Sequence, residues 1–266
     1  MVVADDGSGA PPREVLALFN DRLSVTLVET AHGGPGAARN AAVSRARGRF
    51  LALTDDDCTP VPEWLAALDR TLARHPEALV GGRVENALVE NAMATASQLL
   101  ISYLYEYFAR ADSSHRFFTT NNVACAATAF EEVGRFDEQT VADTGEDRDL
   151  CDRWCRSGRT LLYDADAVVH HHNPFTLGAF VRCHLKYGRG AVHFHRARGR
   201  RGGSAVRLEP FGFYAGMLAY PFQHERPTRA LICSALIVLS QLSYATGYAF
   251  ERFVGSSNAA RRGPSL

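Results

Sequence analysis

The segment LALTDDDCTPVPEW, residues 51–64, is the clearest indication of the fold class. An apolar run ends in three consecutive carboxylates, Asp55, Asp56 and Asp57, and a proline-punctuated helix start follows. No basic residue in the segment offsets the repulsion among these charges. The alternative, a solvated turn that caps a helix, needs one aspartate only. The excess of carboxylates therefore predicts a divalent cation at the end of a strand.

Strand and helix patterns alternate on either side of this segment. Apolar strand patterns occupy Val2–Ala4, Val25–Val28, Phe50–Leu53 and Ala78–Val84, and helical spacing occupies Arg13–Asn20, Ala37–Arg47 and Pro62–Arg74. The alternation predicts an α/β fold with a mainly parallel sheet flanked by helices. Ligands bind at the carboxyl ends of such strands. We therefore expect Asp5 and Asp6 to share one crevice with Asp55–Asp57.

The second half of the chain is less regular. Its patterns predict helices at Ala94–Arg110, Thr128–Val133, between Gly145 and Arg156, and at Leu177–Lys186, with strands at Arg159–Tyr163 and Ala167–His171. Gly188 is expected to end the last of these helices. Asp149 and Asp152 are expected to face solvent.

The composition limits the classes of function. Hydrophobic residues make up 46% of the 266 residues, which is enough for a packed core. Lys and Arg number 29 and so do Asp and Glu, so the formal net charge is zero. A general nucleic-acid binder would carry a basic excess, and no nucleic-acid partner is predicted. Six cysteines without framework spacing indicate reduced thiols of a cytoplasmic protein.

The C-terminal part has a different character. Arg196–Arg207 is rich in arginine and is expected to be a basic linker. Ala230–Phe250 contains no charged residue, and a span of the bilayer takes about 20 residues. A buried core helix is the alternative for this segment. Phe211–Phe222 is also apolar but too short to span, which fits an interfacial piece.

Six segments match a known family in its order along the chain. They read VVADDGS from residue 2, GPGAARNAAVSRARG from residue 34, FLALTDDDCTPVPEWL from residue 50, TNNVACAATAFEEVGRFDE from residue 120, GEDRDLCDRWCRSG from residue 145 and YDADAVVHHHNPFTLGAFVRCHLKYGRGA from residue 163. Together they resemble the family 2 glycosyltransferases, which have the GT-A fold. The resemblance covers about residues 2–192. It divides the chain into a catalytic domain, residues 1–192, and a basic linker with a membrane-associated region, residues 193–266, whose span is expected at 230–250.

The resemblance implies a role for individual residues. The residues implied in nucleotide-sugar binding are Asp5, Asp6, Arg39, Asp55 and Asp56. The implied ligands of a divalent cation, Mg²⁺ or Mn²⁺, are Asp57, Asp55 and His171.

The catalytic pair implied by the resemblance is Asp147, as the base, with Glu146, and Asn121 and Asn122 are implied on the acceptor side. Asp147 follows Gly145 at a helix start, where the helix dipole favours the ionised form. Helix capping is the alternative role of Asp147. Side chains alternate along a strand, so His171 points away from His170 and His172, and the alternative for His171 is an ordinary surface or core position.

The chain departs from the family pattern in two places. The family begins with a strand and loop before the VVADDGS strand, so we expect a further apolar strand to precede Met1 and to pair with Val2–Asp5. The Gln-x-x-Arg-Trp pattern of processive polysaccharide synthases does not occur, which favours transfer of a single sugar.

The predicted function is metal-dependent, inverting transfer of one sugar from a nucleotide-diphosphate sugar to a hydroxyl acceptor. The acceptor is expected to be a glycan or lipid-linked molecule of cell-envelope, polysaccharide or glycolipid synthesis. The expected location is the cell membrane, with the catalytic domain in the cytoplasm. Two alternatives are a catalytically inactive nucleotide-sugar-binding or assembly subunit and a nucleotidyltransferase.

Overall fold

The computed structural model describes residues 1–110, 116–138, 144–203 and 208–255. The predicted linker and C-terminal region extend beyond these residues at 204–207 and 256–266. The strands are β1 (Val2–Asp5), β2 (Thr26–Glu29), β3 (Phe50–Leu53), β4 (Cys58–Pro60), β5 (Leu79–Asn86), β6 (Val123–Ala126) and β7 (Leu161–His171). The helices are α1 (Arg13–Ala17), α2 (Pro35–Val43), α3 (Trp64–Arg74), α4 (Ala92–Arg110), α5 (Ala127–Val133), α6 (Glu146–Arg156), α7 (Leu177–Arg200), α8 (Phe211–Ala219), α9 (Pro221–His224) and α10 (Pro227–Phe250).

The described strands form two sheets. β1 and β2 pair in parallel, and a five-stranded sheet has the order β3-β6-β5-β7-β4. β5 and β7 are parallel, whereas β6 runs antiparallel to both of its neighbours and β4 runs antiparallel to β7. The α/β class is confirmed, but the sheet is mixed and differs from the mainly parallel one expected. Periodicity in the sequence identifies a strand without fixing its direction or its neighbours.

The N-terminal strand forms as expected. Among the described strands β1 pairs with β2 and β3 pairs with β6, so each has one edge without a strand partner. None of residues 1–33, all of which the structure describes, is buried. The strand expected before Met1 stays a prediction.

Two apolar clusters cover the two faces of the five-stranded sheet. On one face α3 packs Trp64, Leu68 and Leu72 against β5 and β7. On the other face α6 packs Leu150 and Trp154 against β5, β6 and β7. The strands supply alternate residues to the two clusters, as the two-residue period of a strand requires. The loop that follows β3 and the start of α6 are thereby fixed to one rigid sheet.

Helix α7 continues through Gly188 to Arg200, so the predicted helix end at Gly188 was wrong. A Cβ at Gly188 would lie 2.0 Å from the backbone oxygen of Tyr244 in α10. A Cβ at Gly247 of α10 would lie 2.1 Å from the backbone oxygen of Leu185. These glycines therefore let the two helices pack in close contact, and neither marks a chain reversal.

The expectation that Asp149 and Asp152 face solvent was also wrong. Asp149 is fully buried and Asp152 is nearly so. Arg153 Nε donates to Asp149 at 2.7 Å, Arg201 contacts the same carboxylate, and Arg198 lies 3.1 Å from Asp152. A buried carboxylate requires a charged or hydrogen-bonding partner. The arginines at the end of α7 supply it, so this part of the predicted basic linker is packed against α6.

Candidate active site

Asp57 lies in the loop that joins β3 to β4, and its side chain is half-buried. Its Oδ2 is 3.1 Å from Nε2 of His171, and its Oδ1 accepts a weak hydrogen bond from the thiol of Cys58 at 3.6 Å. The antiparallel register of β4 and β7 pairs Cys58 with His171, which brings these side chains together. The hydrogen bond from His171 lowers the pKa of the Asp57 carboxyl group. Asp57 is therefore an ionised carboxylate beside an imidazole.

Arg39 connects three parts of the site. It projects from α2 and is largely buried, with 16% of its side chain exposed. One guanidinium nitrogen donates to Asp55 Oδ1 at 2.7 Å and the other donates to Glu146 Oε1 at 2.9 Å. Although burial opposes it, the charges of Asp55 and Glu146 raise the pKa of Arg39. Arg39 thus fixes the acidic loop after β3 relative to the start of α6.

Helix α6 begins with two acidic residues. Gly145 precedes them with a left-handed φ of 94°, which favours glycine. Burial, together with the neighbouring charge of Asp147, raises the pKa of Glu146 to about 7 against the opposing effect of Arg39. Burial also raises the pKa of Asp147, whose side chain is half-buried. The expectation that the helix start would favour its ionised form was wrong in direction, because burial outweighs the dipole. A carboxylate with a raised pKa is a stronger proton acceptor than an ordinary one, which suits a general base.

Helix α7 supports the turn before α6. Thr144 Oγ1 donates to the backbone oxygen of Lys186 at 3.2 Å. Gly190 packs so closely that a Cβ there would lie 1.9 Å from Thr144 Oγ1. Tyr187 lies on the same helix, and burial raises its pKa, with the charges of Cys183 and Asp147 adding to the effect. The position of Asp147 therefore depends on contacts with α7.

The side chains of Asp5 and Asp6 both accept hydrogen bonds from loop residues. Asp5 accepts hydrogen bonds from the backbone N–H of Ser8 at 3.2 Å and from the Ser8 hydroxyl. Asp6 accepts from the backbone N–H groups of Gly33 at 2.8 Å and Gly34 at 3.0 Å, directly before α2. Asp6 thus orders the loop directly before α2, the helix from which Arg39 projects. The donor-binding roles of Asp5 and Asp6 stay predictions.

Asn122 has a structural position. Its side chain is 1% exposed. It accepts a hydrogen bond from Trp64 Nε1 at 2.8 Å and donates to the backbone oxygens of Arg83 at 2.9 Å and Ala167 at 2.8 Å. A Cβ at Gly82 would lie 2.3 Å from the Asn122 amide, so glycine leaves room for it. These three bonds join β5, β7 and α3 around Asn122.

Asn121 is buried as well, and its Oδ1 accepts a hydrogen bond from Thr119 Oγ1 at 2.8 Å. The hydroxyl of Tyr105 lies 2.8 Å from the same Thr119 oxygen, which ties this loop to α4. Both asparagines thus hold the segment between α4 and β6 in place. The role of these two asparagines on the acceptor side of the site stays a prediction.

The structure separates the predicted metal ligands. Within the described ranges, the group of side chains that could hold a metal ion consists of Asp57, Cys58 and His171, whose ligand atoms lie within 4.8 Å of one another. Asp55 binds Arg39 instead, and Asp56 is exposed. Sequence reasoning missed Cys58 because β4, only three residues long, gave no strand pattern. Its position directly after Asp57 was the available signal.

The sequence profile of glycosyl transferase family 2 matches residues 1–134, half of the 266 residues. The chain belongs to this family. The matched region contains the two acidic loops, Arg39 and the buried asparagines before β6. The family resemblance drawn from the six segments is thereby confirmed.

Two curated relatives of this family 2 chain are named glycosyltransferases. The pre-mycofactocin glycosyltransferase of Mycobacterium tuberculosis H37Rv is 30% identical over 197 residues, which are 72% of this chain and 41% of that protein. Glycosyltransferase AglE of Haloferax volcanii is 27% identical over 196 residues, which are 72% of this chain and 62% of that protein. The chain therefore spans less than two thirds of the length of either relative.

A solved structure supports the fold. Mannosyltransferase PcManGT from Pyrobaculum calidifontis, determined in complex with GDP-Man and Mn²⁺, aligns with a TM-score of 0.57 and 18% identity. The alignment covers 98% of this family 2 chain and 71% of that chain. The expected GT-A type of fold is confirmed by this likeness.

Proposed function

We propose that the chain is a metal-dependent, inverting glycosyltransferase that moves one sugar from a nucleotide-diphosphate sugar to a hydroxyl acceptor. One observation carries the proposal: Arg39 joins Asp55, at the acidic loop, to Glu146, the neighbour of Asp147. A cation-binding carboxylate loop and a proton-accepting carboxylate thus border the same site. Metal-assisted glycosyl transfer to a hydroxyl uses both groups.

The side chains at the acidic loop fit a divalent cation. Asp57 and His171 offer one carboxylate oxygen and one imidazole nitrogen within 4.8 Å. A cation held by few protein ligands keeps positions for water and phosphate oxygens. When bound, it would offset the negative charge that develops on the leaving diphosphate. PcManGT, which was determined with GDP-Man and Mn²⁺, supports a donor and a cation of this class.

Donor binding is assigned to the residues around this loop. Asp5 is the last residue of β1, Asp55 and Asp56 follow β3 and directly precede Asp57, and Arg39 brings a buried positive charge beside Asp55. Because Arg39 binds two carboxyl groups, a diphosphate can replace one of them without leaving the guanidinium unpaired.

Asp147 is assigned as the general base. It takes the proton from the acceptor hydroxyl as that oxygen attacks the sugar carbon, and the leaving group departs from the opposite face. One direct displacement inverts the configuration at that carbon. The raised pKa of Asp147 makes it a better proton acceptor at neutral pH.

The assignment of the base is tested by Asp147→Asn, which keeps the shape and removes the proton acceptor. Transfer should fall by roughly 10²–10⁴, while donor affinity measured by calorimetry with Mn²⁺ stays close to that of the parent. An unchanged transfer rate would assign the base elsewhere. Product analysis of the parent distinguishes the three candidate functions. Sugar transfer supports this proposal, whereas pyrophosphate release from a nucleoside triphosphate indicates a nucleotidyltransferase. Donor binding without turnover indicates an inactive subunit.

We further infer that the chain works at a membrane, with the acceptor presented there and the catalytic domain on the cytoplasmic side. One described helix, Pro227–Val254, is long and apolar enough to cross a bilayer, with a mean hydropathy of 1.6. Its inward face is mixed, since Ile237 is buried together with Ser240, Ser243 and Gly247. Its outward face is apolar, with Leu231 and Leu242 each more than 60% exposed. An apolar face that the domain leaves uncovered suits contact with lipid.

The packing of α10 favours an interfacial position over a span. α10 lies against α7 at Gly188, and α7 exposes Arg182 and Lys186. A spanning α10 would carry these charges towards the hydrocarbon, at about 2.5–3.5 kcal/mol for each charge placed at the centre. With α10 lying flat, its outer face and the exposed Phe211 of α8 enter the lipid while α7 stays in water.

A further inference from the structure

Cys58 adjoins both of the proposed cation ligands, Asp57 and His171. In the antiparallel pair of β4 and β7 it lies directly opposite His171, and opposite residues have Cβ atoms about 4.5–5.5 Å apart. It also follows Asp57 in the chain. The Asp57 carboxylate contacts both neighbours, His171 Nε2 at 3.1 Å and Cys58 Sγ at 3.6 Å. One carboxylate oxygen, one imidazole nitrogen and one sulfur therefore lie within 4.8 Å of one another.

The spacing of these three atoms suits a tetrahedral metal. Zinc binds sulfur at about 2.3 Å and nitrogen or oxygen at about 2.0–2.2 Å, so tetrahedral ligands are about 3.4–3.6 Å from one another. The three ligand atoms already lie within 4.8 Å. Metal binding therefore requires side-chain rotations that close the remaining difference. A fourth position stays open for water or for an oxygen of a substrate.

We propose that Cys58 makes this site selective for a thiophilic metal, so that it binds Zn²⁺ through Asp57, Cys58 and His171 more tightly than Mg²⁺ or Mn²⁺. The inference rests on the proposed function in that it uses the proposed cation ligands. On binding, the Cys58 thiol loses its proton to solvent and a metal–thiolate bond forms. Cys58 is thus the residue that determines metal specificity.

The chemistry of the ligands supports this order of affinities. Mg²⁺ and Mn²⁺ prefer oxygen ligands, whereas a thiolate favours Zn²⁺. For most mixed ligand sets Zn²⁺ also binds more tightly than Mn²⁺. Without the sulfur, the site offers one carboxylate and one imidazole, which discriminate less between these ions. A cellular rise in free Zn²⁺ would therefore displace the cation that supports transfer.

The test uses Cd²⁺, a zinc substitute whose bond to a thiolate absorbs in the ultraviolet. Reduced, metal-free full-length protein is titrated with Cd²⁺ in the absence of donor and acceptor. The parent should develop one thiolate absorption per chain, and Cys58→Ser should lose it. Cys155→Ser is the matched control, because Cys155 is also partly exposed and lies outside the cluster. It should keep the full absorption.

Competition with a chelating dye measures Zn²⁺ and Mn²⁺ affinity in the same variants. Cys58→Ser should lower the ratio of Zn²⁺ to Mn²⁺ affinity by roughly 10–100-fold. Asp57→Asn and His171→Asn should weaken the Cd²⁺ absorption although Cys58 remains, which keeps the test decisive if Cys58→Ser folds poorly. An absorption that persists in Cys58→Ser, or an unchanged affinity ratio, overturns the inference. If the parent protein transfers sugar but shows no Cd²⁺–thiolate absorption, only this inference is refuted. If the parent protein shows the absorption but transfers no sugar, only the proposed function is refuted.

Discussion

Replacing Gly190 by alanine should slow transfer without disturbing any residue assigned to donor, cation or acceptor. The new Cβ would lie 1.9 Å from Thr144 Oγ1 and 2.5 Å from the Thr144 backbone oxygen. The hydroxyl can rotate away, but the backbone oxygen cannot. Ordinary contact begins at 3.4 Å, so the turn before α6 has to move by about 0.9 Å.

The magnitude follows from the distance to Asp147, three residues after Thr144. A displacement of about 1 Å in a catalytic group costs on the order of 10²-fold in rate, or about 2.7 kcal/mol of transition-state stabilisation. We therefore expect kcat to fall about 100-fold, with donor affinity close to that of the parent. The assay is transfer under saturating donor and Mn²⁺, together with calorimetric donor binding.

Gly199→Ala is the matched control in the same helix. A Cβ at Gly199 has no atom within 4 Å among the described residues. Alanine is preferred over glycine inside a helix by about 0.5–1 kcal/mol, so this variant should melt at the parent temperature or slightly above it, with unchanged kcat. If Gly190→Ala turns over at the parent rate, α7 does not position Asp147 and this reasoning is refuted.

Three further outcomes are expected. Asp57→Ala should lose most of its Mn²⁺-dependent turnover. It should melt close to the parent temperature, because the Asp57 carboxylate is partly exposed. Full activity of the parent protein in EDTA would contradict the cation requirement. A base works only when ionised, so kcat should fall as the pH drops through the raised pKa of the Glu146–Asp147 pair, and a limb near the ordinary aspartate value of about 3.9 would argue against Asp147. Leu242→Glu should weaken binding to anionic phospholipid vesicles in sedimentation by about 10-fold or more, whereas Leu65→Glu, equally exposed on α3, should not; equal binding by both would place the lipid contact elsewhere.

Local patterns predicted the parts of the molecule that depend on neighbours in sequence. The apolar runs before Asp5 and Asp55 form strands, and both acidic loops follow them. The family resemblance pointed to His171, and its Nε2 lies 3.1 Å from Asp57. Side-chain alternation alone separated His171 from His170 and His172 without showing which side of β7 faces Asp57.

The remaining features depend on residues that are distant in sequence. In the sequence Gly188 has the pattern of a helix end, but in the structure it is the contact point with Tyr244 of another helix. In the sequence Asp149 has the character of a surface residue, but in the structure it is buried and paired with Arg201. β4 is recognisable only through its pairing with β7. A single sequence carries no record of such partners, so neither the sheet order nor the buried ion pairs follow from it.

The sparse burial of residues 1–33 has a consequence for donor affinity. A segment with few buried side chains opens at a lower free energy than a packed sheet, and its amide hydrogens exchange with solvent faster. β1 and β2 should therefore exchange before β5 and β7, whose side chains fill both apolar clusters. A donor that contacts Asp5 binds only molecules in which residues 1–33 are folded. The measured donor affinity therefore includes the free energy of folding this segment. A substitution that stabilises the segment would tighten donor binding without adding any contact to the donor.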